Sequence, residues 1–518
     1  MTPVLNLGET LATHARLHPD RIGARDLERQ LTFRQWNARA CRLANALIGL
    51  GLGKGDRVAV LAYNALEWVE IYAATAKAGV VMVPVNFRLT APEIRFIVED
   101  SSATALIVED QLVGAIEEIG RDLPIPEQRR IVFGNGAPPA GFQAYESLLA
   151  AASDREPDIA VAPSDPWAQM YTSGTTGRPK GAIRSHGASA LLSLITAIEF
   201  KLAQQDTALL VMPLCHANSL FFYGAFLTCG AATAVYNRKS IDPEHLLATL
   251  ANSGATFTSL VPTHYIMMLA LSEAVRDKHD VDRMRRLLIS SAPARHDTKL
   301  AVLDMFRNSG LYEMYGSTEA GWVTILHPQD QLSKLGSVGR EVVGSGPIRL
   351  LGPDGRDVAD GEAGELYSRS PWAFDGYWNL PDKTVEAFRG DYCTVGDLAR
   401  RDADGYIHLV DRKSNLIISG GENIYPSEVE TALGAHPKVR DIAIVGAPDE
   451  KWGERVHAFV ILHDGAEATP DELADWCRDR IAPYKRPRGV TFITEAEMPR
   501  TATGKILHRV LRQRLAPT

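Results

Sequence analysis

The sequence predicts an α/β fold with mainly parallel sheets, and the order of its segments is the main reason. Apolar, β-branched segments alternate with amphipathic segments over most of the chain, a pattern typical of strands joined by helices. At roughly 150 residues per domain, 518 residues suggest about three structural units or one large two-domain enzyme. With 45% hydrophobic and 23% charged residues, such a chain can complete its cores without disulfides or metals.

The clearest alternation begins after the glycine-rich turn at 49–55. We expect a buried strand at 56–64, a helix at 65–79 that ends at its final glycine, and a second strand at 80–86. Thr90 and, three positions later, Glu93 form the pattern of a capping box, which predicts a helix that begins there and runs through Ile97. Strand, helix, strand and helix in this order predict parallel pairing.

The C-terminal part of the chain predicts smaller units. Gly-Asp turns between short apolar runs at 347–370 predict a small β-rich subdomain. A fresh α/β pattern after residue 412 suggests a large domain at 1–411 and a small, mobile α+β domain at 412–518. The elements expected in that small domain are a helix at 427–439, strands at 441–448 and 456–462, and a helix at 470–481.

Charge and cysteine content exclude several classes of protein. The net charge, 55 − 63 = −8, argues against a general binder of nucleic acid or of anionic membranes. The start has no signal-peptide pattern, and the apolar run at 188–198 is too short for a transmembrane segment, so we expect a cytoplasmic protein. The cysteines show no CxxC pattern, which fits a reducing compartment: Cys41, Cys215, Cys229, Cys393 and Cys477.

The strongest local signal for chemistry is YTSGTTGRPKGAIRSH at 171–186. Its glycines let successive backbone N–H groups face one anion, while the hydroxyl side chains and Lys180 add donors and charge, so a triphosphate is the expected guest. The segment is not a Walker loop, because Pro179 stands where that motif needs glycine and Gly181 follows the lysine. A flexible surface loop is the alternative.

This segment resembles the phosphate loop of the adenylate-forming superfamily, which contains AMP-dependent acyl-CoA synthetases, amino-acid adenylation domains and beetle luciferases. Four further segments resemble that family's motifs in the expected order, so the resemblance covers nearly the whole chain. Val395 departs from the family's pattern, since it replaces the residue usual before the glycine of the third motif. The four segments are YGSTEAG (315–321), YCTVGD (392–397), DRKSNLIISGGENIYPSEVE (411–430) and PRTATGK (499–505).

The resemblance implies a two-step reaction with ATP, Mg²⁺ and coenzyme A. ATP and a carboxylate first give an acyl-adenylate and diphosphate, and a thiol then displaces AMP to form a thioester. The first step brings two anions together, so the site must neutralise charge and hold the reactants in line.

Most of the nucleotide-binding residues follow from the resemblance. The β- and γ-phosphates would be bound by Thr172, Ser173, Gly174, Thr175, Thr176, Gly177 and Lys180. The adenine would lie against Ser291, Ala292, Pro293, Glu313, Met314, Tyr315 and Gly316, with Tyr315 as the stacking platform, and Ser317 would also bind the nucleotide.

The catalytic roles follow in the same way. Thr318 would hydrogen-bond the α-phosphate, and Glu319 would hold Mg²⁺, a hard cation suited to carboxylate oxygens. Asp397 and Arg412 would bind the ribose, and Lys505 would stabilise the adenylation transition state. Taken alone, each of these side chains could equally be an ordinary surface residue.

The acyl pocket is expected around His216, which the resemblance places beside the acyl and pantetheine tunnels. The segments concerned contribute apolar and aromatic side chains and no lysine, which favours a medium-chain fatty, aromatic or alicyclic monocarboxylic acid. The same side chains could simply fill the core, and His216 beside Cys215 could suggest a metal site, although no further ligand has the right spacing. The expected pocket residues are His216, Phe221, Phe222, Val261 and Tyr265.

The thiol-binding half-reaction implies a movement of the C-terminal domain. Ser414 occupies the pivot position, where the family usually has Asp or Lys. Gly420 and Gly421 would then approach the thiol tunnel, and Lys485 and Arg486 would bind the phosphates of coenzyme A, unless they form a merely solvated basic turn.

Three other functions share parts of this pattern. A stand-alone enzyme that loads a carrier protein would have the same nucleotide motifs, and a luciferase-like oxygenase would differ only in later chemistry. A catalytically inactive scaffold is disfavoured, because Glu319, Asp397, Arg412 and Lys505 are all present. The exact acid and the oligomeric state stay open, with a homodimer as one arrangement.

Overall fold

The computed structural model describes residues 6–119, 123–172, 178–290, 294–420, 422–478, 480–501 and 504–515. These residues form two compact units. The first unit comprises Met1–Pro347 and Ser368–Cys393, and the second comprises Ile348–Tyr367 and Thr394–Thr518. Among the described residues, no helix is both long and apolar enough to cross a membrane.

The helices of the described residues follow in chain order. They are α1 Leu7–Leu17, α2 Phe33–Gly49, α3 Glu67–Ala78, α4 Ala91–Asp100, α5 Val113–Ile119, α6 Tyr145–Ala151, α7 His186–Glu199, α8 Ala217–Thr228, α9 Pro243–Asn252, α10 Pro262–Leu269, α11 Glu273–Arg276, α12 His296–Met305, α13 Pro381–Ala387, α14 Pro426–Gly434, α15 Pro470–Trp476 and α16 His508–Gln513.

The strands are more numerous and mostly short. They are β1 Ile22–Arg25, β2 Gln30–Thr32, β3 Arg57–Leu61, β4 Val81–Val85, β5 Ala103–Glu109, β6 Arg130–Phe133, β7 Gln143–Ala144, β8 Pro166–Thr172, β9 Lys180–Ser185, β10 Thr207–Leu210, β11 Ala232–Val235, β12 Phe257–Leu260, β13 Arg286–Ile289, β14 Gly310–Ser317, β15 Gly321–Leu326, β16 Arg340–Glu341, β17 Arg349–Leu351, β18 Gly364–Tyr367, β19 Gly376–Tyr377, β20 Phe388–Arg389, β21 Tyr392–Cys393, β22 Asp397–Arg401, β23 Ile407–Arg412, β24 Ile417–Ser419, β25 Glu422–Ile424, β26 Val439–Asp449, β27 Gly453–Leu462 and β28 Gly489–Phe492.

The first unit contains two large sheets with mainly parallel pairing. One has the order β19-β9-β8-β4-β3-β5-β6-β7, and the other has the order β16-β15-β14-β13-β12-β10-β11-β1-β2. Strands β3 to β8 pair in parallel, whereas β9 and β19 extend that sheet with antiparallel pairs. In the second sheet β1 and β10 to β14 are parallel, so the loops at their carboxyl ends share one edge.

The main core of the first unit joins both sheets. Its buried side chains come from helices α2, α3, α7 and α8 and from strands of each sheet, and aromatic rings such as Trp36, Tyr72 and Phe222 contribute much of its volume. Burial on both faces explains why β3 and β4 read as unbroken apolar runs.

The second unit is built from two smaller sheets. The first of them has the antiparallel order β17-β18-β22-β23, and the second has the order β25-β24-β27-β26 with β28 alongside β27. Helices α14 and α15 contribute Val429, Leu433 and Leu473 to its core against β26 and β27. Most of the β-rich segment predicted at 347–370 therefore belongs to this unit.

The α/β class that the alternation predicts is confirmed. Helix α3 ends at Gly79, which has a φ of 65°, and the Glu93 carboxylate accepts from the Thr90 N–H at 2.9 Å as the capping box requires. The helix predicted at 427–439 is shorter, because α14 ends at Gly434 and the chain then turns through a His436–Pro437 pair. The domain boundary predicted at residue 412 stays a prediction.

Two glycines at helix ends provide a matched test of this backbone geometry. Gly79→Ala should lower the free energy of unfolding by about 1 to 2 kcal/mol, because an alanine is strained at a φ of 65°. Gly49→Ala should raise it by about 0.5 kcal/mol, because Gly49 lies in α2 with nothing within 4 Å of an added Cβ. Urea denaturation of both variants measures the difference, and shifts of equal sign would contradict the assignment.

Candidate active site

The phosphate-loop segment forms a hairpin between two strands of the eight-stranded sheet. Thr172 ends β8 and Lys180 begins β9, and the two residues are direct antiparallel partners. The predicted loop residues between them, Ser173, Gly174, Thr175, Thr176 and Gly177, lie outside the described residues. The described ends of the loop are therefore held together by the sheet.

The carboxylate of Glu319 lies at the base of this hairpin. It is buried, with 6% of its surface exposed, in the turn between β14 and β15. Its Oε1 accepts from the Thr172 hydroxyl at 3.0 Å and from the Tyr377 hydroxyl at 2.8 Å. Two of the predicted site residues, Thr172 and Glu319, thus meet directly.

Tyr377 is a site residue that the sequence motifs do not reveal. It lies in β19, where it pairs with Ala182 of β9, so the strand that begins at Lys180 also positions the tyrosine. The Lys180 Nζ lies 3.9 Å from the centre of the tyrosine ring, a cation–π contact. Burial lowers the pKa of Lys180, and the charge of Glu319 opposes that shift.

Arg184 connects the hairpin to the turn that carries Thr318. Its guanidinium is fully buried and donates to the Thr318 carbonyl and to the Trp372 carbonyl, both at 2.8 Å. Burial lowers the pKa of Arg184 to about 10, which still leaves it charged at neutral pH. The backbone of Thr318 is therefore fixed by a buried cation, which stabilises the turn in one conformation.

The carboxylate of Glu319 is a suitable ligand for a divalent cation. No Lys, Arg or His of the described residues lies within ion-pair distance of this buried carboxylate, so its charge is only partly compensated by hydroxyl donors. Among the same described residues no group of three His, Cys, Asp or Glu could hold a metal. One carboxylate completed by phosphate oxygens is the donor set that Mg²⁺ commonly uses.

The residues predicted to surround the adenine lie on β14 where the structure describes them. Glu313, Met314, Tyr315 and Gly316 follow one another on this strand, and Ser317, predicted to bind the nucleotide, ends it. The remaining three, Ser291, Ala292 and Pro293, lie outside the described residues.

Packing explains two of these residues independently of any ligand. Glu313 is buried and paired with Lys299, and burial raises its pKa while the lysine opposes the rise. At Gly316 an added Cβ would come within 2.3 Å of the Gly321 carbonyl oxygen, so the close antiparallel pairing of β14 and β15 at this point requires glycine.

His216 lies at the carboxyl edge of the nine-stranded sheet, where it precedes α8. Its Nε2 is buried without a hydrogen-bond partner, and so is the Nδ1 of His264 on α10. Burial and the nearby Arg88 guanidinium lower the pKa of each histidine to about 4. Both imidazoles are therefore neutral at pH 7.

The other predicted acyl-pocket residues are core residues in this structure. Phe222 packs against aromatic rings that include Trp322, and Phe221 contacts the same indole. Tyr265 is fully buried and donates to the Leu288 carbonyl at 3.2 Å, and Val261 is 5% exposed. Their predicted contact with the acid stays a prediction.

The second unit brings together the predicted ribose-binding residues. Asp397 on β22 and Arg412 on β23 are direct partners in the ladder, and the Arg412 Nε lies 3.0 Å from Asp397 Oδ1. The contact is an ion pair without the alignment of a hydrogen bond, since the Arg412 Nε has no hydrogen-bond partner. Asp397 is 9% exposed.

Lys505 shares the electrostatic environment of this pair. The pKa of Lys505 is lowered to about 8, mainly by desolvation and also by the charge of Arg412, while Asp397 and Asp411 oppose the shift. Lys505 as a whole residue is exposed, and its backbone N–H donates to the Thr501 hydroxyl at 3.1 Å. Lys505 is thus close to the predicted ribose-binding pair, although it lies about a hundred positions after it in sequence.

The predicted hinge and coenzyme A residues are scattered over the second unit. Ser414 is exposed in a 3₁₀ turn at Lys413–Asn415, and Gly420 is exposed with a φ of 60°. Gly421 lies outside the described residues.

The two basic residues predicted for coenzyme A already have partners. Lys485 binds both carboxylate oxygens of Glu428 at 2.7 Å, and Arg486 donates to the Arg478 carbonyl at 2.6 Å. A phosphate would have to compete with Glu428 for the lysine.

Comparison with known families identifies this arrangement. Residues 11–378 match the AMP-binding enzyme family, and residues 428–505 match the AMP-binding enzyme C-terminal domain. The chain belongs to this adenylate-forming family of AMP-binding enzymes. Within the family it is an acid–CoA ligase.

Full-length relatives support that assignment. Feruloyl-CoA synthase of Amycolatopsis sp is 36% identical over 511 residues, which cover 98% of this chain and 99% of the relative. The solved structure of the anthranilate CoA ligase AuaEII with anthranoyl-AMP has a TM-score of 0.90 at 28% identity, covering 99% and 98% of the two chains. The O-succinylbenzoate coenzyme A synthetase of Bacillus subtilis, solved with ATP and magnesium ion, has a TM-score of 0.84 at 28% identity, with 98% of each chain covered.

Removing the Tyr377 hydroxyl tests the environment of Glu319. Tyr377→Phe should raise the Mg²⁺ concentration needed for half-maximal diphosphate release by about tenfold, because the Glu319 carboxylate loses a donor that orients it. Titration of Mg²⁺ at saturating ATP measures the change. Tyr145→Phe is the matched control, since Tyr145 also donates to a buried carboxylate, Glu70 at 2.7 Å, far along the chain. An equal effect of both variants would indicate a loss of stability only.

Proposed function

We propose that the protein activates a hydrophobic monocarboxylic acid with ATP and transfers it to coenzyme A. The observation that carries this proposal is the buried Glu319 carboxylate, which has no cation partner among the described residues and lies against the ends of the phosphate hairpin. A carboxylate oxygen of the acid attacks the α-phosphorus of ATP, and diphosphate leaves. The sulfur of coenzyme A then attacks the acyl carbonyl, and AMP leaves with the bonding electrons.

Residues of the first unit would bind the phosphates of ATP. The N–H groups and hydroxyls of residues 172–177, together with Lys180, would surround the β- and γ-phosphates, and Glu319 would hold Mg²⁺ with phosphate oxygens. When bound, the cation neutralises the charge of the leaving diphosphate. Arg184 supports this arrangement, because it fixes the Thr318 backbone so that the threonine hydroxyl can be aimed at the α-phosphate.

Residues of the second unit would bind the other end of the nucleotide. The Asp397 carboxylate can accept from both ribose hydroxyls, and its pairing with Arg412 holds it in place. The Lys505 ammonium would donate to an α-phosphate oxygen and to the attacking carboxylate, which lowers the repulsion between two anions.

The acid is proposed to enter beside His216. Neutral His216 and His264 favour an uncharged acyl group, because neither imidazole offers a cation to a second carboxylate. The aromatic and apolar side chains of α8 and α10 suit a medium-chain fatty, aromatic or alicyclic tail. An aromatic acid is favoured, since ferulic and anthranilic acyl groups are named for two similar proteins.

The catalytic lysine can be tested by substitution. Lys505→Ala should lower the rate of adenylation by about 100-fold or more, because the transition state loses its positioned cation. Nucleotide binding should persist through Glu319, Asp397 and the hairpin. Diphosphate release and fluorescence titration with ATP separate the two effects. Lys438→Ala, which removes a surface lysine paired with Glu472 in the same unit, is the matched control. Unchanged turnover in Lys505→Ala would refute the role.

The pKa of Lys505 predicts a pH dependence. The ammonium form is present below a pKa of about 8, so kcat/KM for adenylation, which reports on the free enzyme, should fall as the pH rises through 8. Lys505→Arg should abolish this fall between pH 7 and 10, because a guanidinium keeps its charge there. A fall at the same pH in both proteins would assign it to another group.

A substrate panel tests the function as a whole. Release of diphosphate and AMP should be measured with ATP and Mg²⁺, with and without coenzyme A, for graded fatty acids, benzoates, cinnamates, alicyclic acids, dicarboxylates and amino acids. We expect an aromatic or other hydrophobic monocarboxylate to give AMP release that requires coenzyme A. Diphosphate release on which coenzyme A has no effect would favour a carrier protein as acceptor, and preference for a dicarboxylate or an amino acid would refute the proposed pocket.

A further inference from the structure

A second concave site lies in the first unit at the amino-terminal edge of the nine-stranded sheet. The cleft has a volume of about 490 Å³, and its wall includes the beginnings of β1, β10 and β11 and the residues before β12 and β13. Three arginines contribute to this wall: Arg21, Arg25 and Arg283. None of them belongs to the predicted nucleotide or acyl sites.

The three arginines have no acidic partner. Among the residues that the structure describes, no carboxylate lies within ion-pair distance of any of them. Arg25 is half-buried, and its pKa is lowered by burial and by the charge of Arg283. Like charges are thus gathered in one depression without compensation, an arrangement that an anion would stabilise.

Among the described residues that line the cleft, Asp206 is the one carboxylate, and its charge is already neutralised. Asp206 Oδ1 accepts from Arg286 at 3.0 Å and from the Thr256 hydroxyl at 2.8 Å, while Oδ2 accepts from the Ala203 N–H at 2.8 Å. Its charge is matched by Arg286, which is a fourth arginine. The remaining three guanidinium groups therefore give the cleft a positive charge.

The wall also contains a polar group without a partner. The Ser253 Oγ is buried and makes no hydrogen bond, although it lies in the loop that follows α9. The adjoining Gly254 has a φ of 65°, and an added Cβ there would lie 3.6 Å from the Arg283 guanidinium carbon. The Arg283 guanidinium therefore lies against the loop that contains this serine.

We propose that this cleft binds the phosphate group of a small molecule. Guanidinium groups match phosphate oxygens with paired N–H donors, and a dianion would neutralise the repulsion between Arg25 and Arg283. A concave cleft of this volume takes a phosphorylated metabolite rather than an extended polymer.

The proposed site is separate from the reaction centre. His216 and Val261 follow the carboxyl ends of β10 and β12, whereas the cleft lies at the opposite ends of the same strands. Four-residue strands put the two edges on the order of 13 Å apart. Occupancy of the cleft therefore does not depend on the proposed acid or acceptor.

Inorganic phosphate is the probe for the first test, with the full chain and three variants. The variants are Arg283→Gln, the double variant Arg25→Gln/Arg283→Gln, and Arg285→Gln, an exposed arginine of the same loop that does not line the cleft. Phosphorus NMR titration and thermal unfolding, at ionic strength held constant with chloride, measure binding. We expect saturable binding and a rise in Tm for the natural chain and for Arg285→Gln.

The arginine variants decide the outcome. The double variant should lose at least tenfold in phosphate affinity and lose the phosphate-dependent rise in Tm, while its Tm without phosphate should equal or exceed that of the natural chain because repulsion is relieved. Arg283→Gln, which removes an exposed side chain, should show an intermediate loss. Equal phosphate binding in all variants, or none in the natural chain, would overturn the proposal.

Two further arms distinguish a small-molecule site from a lipid-binding surface and from the reaction centre. Phosphatidylcholine vesicles with and without phosphatidic acid test a lipid source, and binding to the vesicles without binding to free phosphate would overturn the proposal of a small-molecule site. Diphosphate release with the preferred acid should be unchanged in the double variant. If that assay fails for the natural chain while phosphate binding persists, the proposed function is refuted and the cleft is not.

Discussion

The buried carboxylate of Glu319 is the constraint on which the first unit's site depends. A charge removed from water costs several kcal/mol unless it is paired or hydrogen-bonded, and the described residues provide hydroxyl donors but no cation. Its two donors come from different strands of one sheet, β8 and β19, which are held together by β9 between them. The sheet order is therefore also what positions the carboxylate that we propose as the ligand of a divalent cation.

Buried Arg184 has the complementary role in the same part of the molecule. It lies on β9, between the hairpin and the core, and its two hydrogen bonds reach the turn before β15 and the segment before β19. Its charge is stabilised by these carbonyl dipoles and by the Phe221 ring, 4.8 Å away. The hydrogen bonds of Arg184 therefore hold in one conformation the turn that carries both Thr318 and Glu319.

The sequence patterns indicate those candidate site residues that belong to local motifs. In the first unit these are Thr172, Lys180 and Glu319, and in the second unit they are Asp397 and Arg412. The glycine that ends α3 was predictable from the fold pattern in the same way. Tyr377 and Arg184 were missed, because their roles arise from strand pairing between segments that are far apart in sequence. Residue types alone also could not separate a pocket lining from a core, as the full burial of Phe222 and Tyr265 illustrates.

The division of the chain between the two units has a consequence for how the protein can be made and dissected. The chain passes from one unit to the other after Pro347, Tyr367 and Cys393, so neither unit is a continuous stretch of polypeptide. When residues up to 367 have been synthesised, neither unit is complete. The first unit still lacks Ser368–Cys393, which includes β19, and β18 of the second unit still lacks its partner β22. Cutting the gene at codon 411 would remove Arg412 from its ladder position beside Asp397. Each of the two fragments encoded by such a cut should therefore fold less well than a continuous domain would. During synthesis, the sheet β17-β18-β22-β23 can form only after residue 412 has been added, so the second unit should fold late.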